Sequence, residues 1–137
     1  MLIKLLTQNA KIPTKADPGA AGYDIYSTES VEILPKTRML VSTGLSVSFK
    51  SGMYLRIAPR SGLSVRGIDI GAGVIDSSYR GEIKVLLINN SVDPVFLEKG
   101  DRIAQGIFEK YYDPEIHIVD NLDSTNRGSG GFGSSGR

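Results

Sequence analysis

A stretch rich in hydrogen-bond donors follows a proline near the middle of the chain. Pro59 restricts the backbone, Arg60 and Ser61 supply charged and hydroxyl donors, and Gly62 lets a backbone amide approach a ligand closely. If residues 61–66 form a helical turn, its free N–H groups face the same point. The stretch therefore predicts a phosphate cradle. A capped turn carrying a surface arginine is the alternative interpretation.

A second stretch combines glycines with a carboxylate. Gly71 and Gly73 flank one alanine, a pattern that favours a hairpin whose exposed backbone can read the edge of a planar ligand. Asp76 follows an apolar pair, where partial burial could tune its carboxylate as a general base. Tyr79 adds a flat ring three residues further on. A glycine-rich hairpin with a core tyrosine is the alternative interpretation.

Two shorter stretches carry one candidate group each. Asp24 follows a Pro- and Gly-containing turn at residues 16–22, and it suits either a carboxylate that satisfies the backbone or one that helps to hold a metal. Gln105 follows the turn at residues 99–101, and it is the residue there that suggests ligand contact.

The C-terminal stretch at residues 127–136 is rich in glycine and serine around Arg127 and Phe132. No strand-then-helix pattern surrounds it, so it matches neither a P-loop nor a dinucleotide fingerprint. Its composition predicts a flexible tail. A tail that orders only over a ligand would explain an aromatic ring that nothing local can bury.

Composition excludes several other kinds of chemistry. The 137 residues contain no cysteine, which excludes thiolate catalysis and disulfides, and one histidine, His117, which we expect to be structural or on the surface. The formal net charge is +1, so no global field attracts nucleic acid or membrane. No apolar run reaches the roughly 20 residues of a membrane span, and we expect an intracellular protein.

The elements that must position these groups are mostly strands. Valine and isoleucine number 23 against 7 alanines, which favours an all-β sandwich or barrel. We predict one β domain over residues 1–122, with a flexible lid over 123–137. Its one helix is short, at Ser61–Arg66. Strands are predicted at 2–6, around Ile12, and at 23–26, 31–35, 39–49, 53–58, 83–89 (buried on both sides), 103–108 and 115–119.

Taken in order, the five stretches resemble the five motifs of the trimeric dUTP pyrophosphatase (dUTPase) family and run from Ala21 to Gly136. The resemblance implies a jelly-roll-like β subunit, the dUTPase-like β-clip. It also implies a homotrimer with shared active sites, each built from motifs of three subunits. The implied reaction is Mg²⁺-dependent hydrolysis of dUTP to dUMP and pyrophosphate, limiting uracil incorporation into DNA and supplying dUMP for thymidylate synthesis.

The resemblance also implies a role for each candidate residue. Asp76 resembles the carboxylate that activates the attacking water, and Tyr79 the ring that excludes a ribose 2′-hydroxyl. Asp24 resembles the metal-linked carboxylate, acting through water. The remaining substrate-binding positions are the uracil-reading backbone of Gly73, Val74 and Ile75, the phosphate contacts Arg60, Ser61, Gly62, Lys84 and Gln105, and the lid residues Arg127, Phe132, Gly133 and Ser134.

Some positions depart from the commonest family pattern, and rival functions follow from the same fold. Ser78 stands where many members carry a second aspartate, and Gly106, where a branched residue is usual, is expected to loosen its strand. One rival is a dCTP deaminase or bifunctional relative, which needs a glutamate in place of Asp76. Others are a catalytically silent dUTP-binding regulator and a structural β-sandwich. No catalytic group is missing, and the sequence therefore favours the hydrolase.

Overall fold

The computed structural model describes residues 1–131. This part of the chain forms ten strands and one short helix. The strands are β1 (Leu2–Leu5), β2 (Tyr23–Tyr26), β3 (Val31–Ile33), β4 (Arg38–Ser48), β5 (Met53–Ala58), β6 (Ile68–Gly71), β7 (Val74–Ile75), β8 (Ile83–Asn89), β9 (Val95–Leu97) and β10 (Arg102–Lys110), and the helix is α1 (Ser61–Val65).

The strands form two four-stranded antiparallel sheets and a small two-stranded one. The first sheet, sheet A, has the order β1-β4-β8-β6, and the second, sheet B, has the order β2-β10-β5-β7. Strands β3 and β9 pair separately. The buried core consists of Ile25, Ile33, Val41, Leu45, Val47, Leu55, Ile57, Leu63, Ile68, Ile83, Val85, Leu87, Val95, Leu97, Ile103 and Ala104. The predicted all-β sandwich with one short helix is confirmed.

A bulge in β4 fixes where β8 begins. At the bulge, Gly44 has a φ of +66°, and its N–H donates to Glu82 Oε1 at 2.9 Å. The neighbouring Thr43 hydroxyl donates to the carbonyl of Ile83 at 2.5 Å. The Gly44 N–H and the Thr43 hydroxyl are thus satisfied by Glu82 and by Ile83, the first residue of β8.

Strand β8 lies inside sheet A but is buried on one face only. Val85 and Leu87 are fully buried, whereas Leu86 and Ile88 are half-buried and Lys84 is exposed. The prediction of burial on both sides is therefore wrong for this chain taken alone. Leu40 of β4 pairs with Leu86 on the outer face and is 55% exposed, so this face is apolar and uncovered.

Three local predictions are wrong. The stretch around Ile12 is a loop, with one isolated bridge from Thr14 to Asp24. Residues 115–119 alternate like a strand but pair with no strand in the described part of the chain, and His117 among them is exposed. The Gly71–Gly73 turn is not a hairpin, because β6 pairs with β8 in sheet A and β7 pairs with β5 in sheet B.

Other features refine the sequence-based picture. Strands β6, β7 and β9, which are 4, 2 and 3 residues long, were not predicted. Strand β10 continues through Gly106, where side chains of Leu55 and Ile25 would lie 3.0 and 3.3 Å from an added Cβ. The expected loosening there is absent. Among residues 1–131, no helix is both long and apolar enough to cross a membrane.

Candidate active site

A buried carboxylate held by two arginines forms one corner of the candidate site. Asp24 lies on β2 with 8% of its surface exposed. Arg60 Nε donates to Asp24 Oδ1 at 2.8 Å, and Arg102 Nη1 donates to Asp24 Oδ2 at 3.3 Å. Such charge-assisted bonds are stronger than neutral ones and fix the positions of all three groups. We call Asp24, Arg60 and Arg102 the arginine corner.

The first turn of α1 and the side chain of Gln105 complete this corner. Arg60 is the N-cap of α1 and uses its side chain to bind Asp24 instead of capping the helix. The N–H groups of Ser61 and Gly62 belong to the first turn, where no intrahelical acceptor exists. Gln105 pairs across the ladder with Asp24, and its Nε2 donates to the Pro59 carbonyl at 2.9 Å. Donors suited to a phosphate therefore converge here.

Arg102 was missed in the sequence. The residues before it form a turn, as predicted, in which Gly100 has a φ of +90° and the Asp101 N–H donates to the Glu98 carbonyl. Only the pairing of β10 with β2, which includes a register shift after Arg102, brings its guanidinium to Asp24. The sequence of a single strand does not show which residues of another strand it will pair with.

The crossing from sheet A to sheet B runs over residues 71–73, from the last residue of β6 to the residue before β7. Ala72 has a φ of +48°. The N–H of Ile57 donates to the Gly73 carbonyl at 2.7 Å, and a Cβ on Gly73 would lie 2.7 Å from the Ile57 carbonyl oxygen. Position 73 therefore requires glycine. Val74 is exposed and Ile75 half-buried, which leaves the backbone of β7 accessible on its free edge.

Asp76 and Tyr79 stand in the turn that follows β7. The Tyr79 N–H donates to the Asp76 carbonyl at 3.1 Å. Both side chains are exposed, so the partial burial expected for Asp76 is not supplied by its own chain. Lys84, at the start of β8, is exposed with its Nζ 3.8 Å from Glu82 Oε2.

The two groups of candidate residues lie at different places along sheet B. Gln105 pairs with Ala58 beside the arginine corner, and Ile75 pairs with Leu55. These rows are three residues apart on β5, about 10 Å at the strand rise, and Asp76 lies beyond the second row. One chain therefore brings together Asp24, Arg60 and Gln105 but not Asp76.

A second polar cluster lies on sheet B beyond the arginine corner. The Tyr54 hydroxyl donates to Glu109 Oε2, and Arg56 Nε donates to Glu109 Oε1 at 2.6 Å. These two bonds, that from Tyr54 foremost, hold the pKa of the Glu109 carboxyl below its usual value. The same bond to Glu109 raises the pKa of the Tyr54 hydroxyl. The cluster keeps Glu109 ionised.

The chain beyond β10 has neither strand nor helix in its described part. Tyr112, Ile116, Ile118 and Leu122 are each at least 85% exposed. Arg127 Nε donates to the Gly130 carbonyl at 2.9 Å within a local turn. The predicted lid residues Phe132, Gly133 and Ser134 lie outside the described residues.

The arginine corner suits a magnesium ion that is bound through water, but not one held directly by several carboxylates. Among residues 1–131, no three His, Cys, Asp or Glu side chains form a group that could hold a metal. Asp24 accepts one guanidinium bond on each oxygen, and a carboxylate has about four acceptor sites, so each oxygen can still accept a water. Magnesium characteristically keeps several waters and is bound by few carboxylates plus substrate phosphates. The residues suit that mode of binding.

Sequence comparison identifies relatives over nearly the whole chain. The dUTPase family profile matches residues 8–136. The deoxyuridine 5′-triphosphate nucleotidohydrolase of vaccinia virus (strain Copenhagen) is 55% identical over 130 residues, which cover 95% of this chain and 88% of the relative. The monkeypox virus enzyme of the same name is also 55% identical over 130 residues, covering 95% and 86%.

The solved structures that superpose on this chain are also dUTPases. A variant of the Staphylococcus bacteriophage 80alpha dUTPase with dUpNHpp superposes with a TM-score of 0.92 at 29% identity, covering 99% of this chain and 98% of that one. A variant dUTPase from phage phi11 of S. aureus, described with a structural Mg(II) ion, superposes with a TM-score of 0.84 at 25% identity, covering 90% and 98%.

Proposed function

Because this chain belongs to the dUTPase family and so hydrolyses dUTP to dUMP, we propose that Asp76 activates the attacking water and that each active site is shared between subunits of a homotrimer. The observation that carries the proposal is the division of the candidate site. A phosphate-binding corner and a carboxylate-bearing turn occupy different parts of sheet B in one chain.

Asp76 is the candidate general base. Its carboxylate accepts a proton from the water as the water oxygen bonds to the α-phosphorus. The bond from that phosphorus to the bridging oxygen then breaks, and pyrophosphate leaves. Its exposed position leaves it accessible to a substrate bound by a neighbouring subunit. No covalent intermediate is needed, and positioning with charge neutralisation supplies the rest of the catalysis.

The arginine corner binds the phosphates. Arg60, the first-turn N–H groups of Ser61 and Gly62, and Gln105 supply donors, and Lys84 of a subunit approaches the α-phosphate. Asp24 would hold Mg²⁺ through water, and the ion would neutralise phosphate charge when bound. Arg60 is held by Asp24 before substrate arrives, which reduces the entropy lost on binding.

Residues 71–79 select the base and the sugar of the substrate. The accessible backbone of Gly73, Val74 and Ile75 pairs with the uracil edge, and a wrong base would leave those groups unpaired. Tyr79 packs on the deoxyribose and excludes a 2′-hydroxyl. A dCTP deaminase would need a glutamate where this chain has Asp76.

Two uncovered apolar surfaces support the trimer. The outer face of sheet A exposes Leu40 beside Leu86. In the segment 111–122, which forms neither strand nor helix, Ile116 and Ile118 are 93% and 99% exposed. Apolar residues that alternate with polar ones in this way are typical of a half-buried strand. A neighbouring subunit that covers both surfaces would explain them.

The trimer is tested by placing charges in the segment 111–122. Replacing both residues, Ile116→Glu with Ile118→Glu, should convert the protein to monomers, because two charges would be buried at the interface. Multi-angle light scattering measures the mass, and Glu115→Gln is the control at a neighbouring exposed position. A double variant that remains a trimer would show that this segment is not in the interface.

The segment 123–137 is the lid, as its composition suggests. Arg127 would reach the γ-phosphate and Phe132 would stack on uracil, with Gly133 and Ser134 closing over the ligand. A lid that excludes water also strengthens the electrostatic interactions inside the site.

The activity is tested by measuring pyrophosphate release from dUTP, dCTP, dTTP and UTP, each with and without magnesium. Of the four nucleotides, we expect only dUTP to release pyrophosphate rapidly, and we expect that release to be faster with magnesium. Equal release from dCTP or UTP would contradict base or sugar selection. Binding of dUTP with no release would instead favour the catalytically silent relative.

A further inference from the structure

We propose that Gly81 and Arg80 determine sugar selectivity, because they fix the position of the Tyr79 ring. This inference rests on the proposed function and deepens it. Tyr79 is 44% exposed, and an exposed ring does not hold one orientation without support. The support in this structure comes from the three residues that follow it.

Gly81 provides the space in which the Tyr79 ring lies. A Cβ on Gly81 would stand 2.3 Å from Tyr79 Oη, 2.5 Å from Cζ and 2.9 Å from Cε2. Non-bonded atoms essentially never lie this close to a Cβ, so a side chain at position 81 requires the ring to shift. Gly81 does not have a positive φ, so alanine is compatible with its backbone. The glycine is therefore required by the ring and not by the turn.

The Tyr79 hydroxyl anchors the far end of the ring. It donates to the Glu82 carbonyl at 3.0 Å. Glu82 is itself fixed, because its Oε1 accepts the Gly44 N–H of the β4 bulge at 2.9 Å. The ring is thus connected to the core sheet through one residue.

Arg80 clamps the backbone of the same turn. Its Nη1 donates to the carbonyls of Ser77 at 2.7 Å and Tyr79 at 2.9 Å, and these are its side-chain hydrogen bonds in the described part of the chain. Its own carbonyl accepts the Ser46 hydroxyl at 2.7 Å. Because the bonds go to main-chain oxygens on both sides of Ser78, loss of the guanidinium would release the turn that carries Asp76 and Tyr79.

The test compares kcat/KM for dUTP and UTP in Gly81→Ala. A displaced ring opens space at the 2′ position and loosens contact with deoxyribose, so we expect the dUTP-to-UTP ratio to fall by about tenfold. Gly19→Ala is the matched control, since it adds a methyl at another exposed glycine without a positive φ. A ratio equal to that of the wild type would overturn the role of Gly81, even if both activities fell together.

A second pair of variants keeps the proposal testable if Gly81→Ala does not fold. Arg80→Ala should lower the ratio by about fivefold or more, and Arg80→Lys, which can still donate to a carbonyl, should restore most of it. Lys36→Ala is the control, because Lys36 is another exposed cation that binds a main-chain carbonyl, that of Asn90 at 2.6 Å.

The outcomes separate this inference from the proposed function. A wild-type protein that releases no pyrophosphate from dUTP would contradict the proposed function. A wild type that is active and selective for dUTP, with unchanged selectivity in Gly81→Ala and Arg80→Ala, would contradict this inference alone.

Discussion

The two parts of the candidate site are built in opposite ways. In the arginine corner, a carboxylate that is 8% exposed is bound by two guanidinium groups before any substrate is present. In the turn at residues 76–79, both functional side chains are exposed, and the turn is held by its own backbone, by Arg80 and by contacts with Glu82 and Ser46.

The difference indicates what each part needs from its surroundings. The corner is preorganised by charge inside one subunit, which suits a group that binds polyphosphate. Asp76 is exposed in its own chain, and a base in a water-excluded site is more effective. A neighbouring subunit and a closed lid would bury Asp76 and exclude water from the turn. The exposure of this turn therefore favours a site that is completed by assembly.

The largest expected effect on activity comes from a substitution in the exposed turn at residues 76–79. Asp76→Asn should lower kcat for dUTP by about a thousandfold, the range for loss of a general base, while dUTP binding persists. Steady-state kinetics and calorimetric titration with a non-hydrolysable analogue measure the two quantities. Asp69→Asn, at an exposed carboxylate on β6, is the control. Turnover at the wild-type rate would remove Asp76 from its proposed role.

Removal of the lid tests whether the turn depends on closure. Deletion of residues 128–137 should reduce kcat/KM by about a hundredfold, because the substrate is no longer enclosed and oriented. The proposed trimer should remain intact by light scattering, since residues 128–131, the described part of the deleted segment, are not in the buried core. Full activity of the truncated protein would argue against a lid.

In the arginine corner we expect smaller effects, with a larger rise in KM on replacing Arg60 than on replacing Arg102. Arg60 has the shorter bond to Asp24 and a 27% exposed side chain, against 3.3 Å and 50% for Arg102. Arg60→Ala should raise the KM for dUTP by about tenfold to a hundredfold, the range for a hydrogen bond to a charged group, and Arg102→Ala by less. Arg60→Lys keeps the charge but loses the planar fork, and should be intermediate. The reverse order would contradict the proposed hierarchy.

The smallest effect concerns stability and the Tyr54–Glu109–Arg56 cluster. The pKa of Glu109 is lowered in the folded state, so its contribution to stability is present above its unfolded value near 4.5 and is lost as the pH falls through the folded value. Glu109→Gln should therefore lower Tm slightly at pH 6, and this difference should shrink as the pH falls below 4.5. Glu32→Gln, at an exposed carboxylate on β3, is the control. A constant difference across this pH range would exclude the linkage.

The sequence predicted the fold class well and the site partly. Alternating strands such as 53–58 and the helix at 61–65 were predictable, because a local pattern dictates them. The segment 115–119 has the same pattern but no partner strand in the described part of the chain, and pairing is a non-local property. Asp24, Arg60 and Gln105 were candidates by residue type. Arg102, the crossing at 71–73 and the separation of Asp76 from the corner depend on strand register, which the sequence does not reveal.

Complementation between two impaired variants, assayed at a dUTP concentration far below the KM of Arg60→Ala, tests the shared site most directly. Co-expressed, differently tagged Asp76→Asn and Arg60→Ala subunits should form mixed trimers. If Arg60 and Asp76 come from different subunits, random assembly leaves about a quarter of the sites intact, and a corresponding share of dUTP hydrolysis returns. If each chain completes its own site, the mixed trimers will be no more active than the two variants alone, and that result would contradict the account.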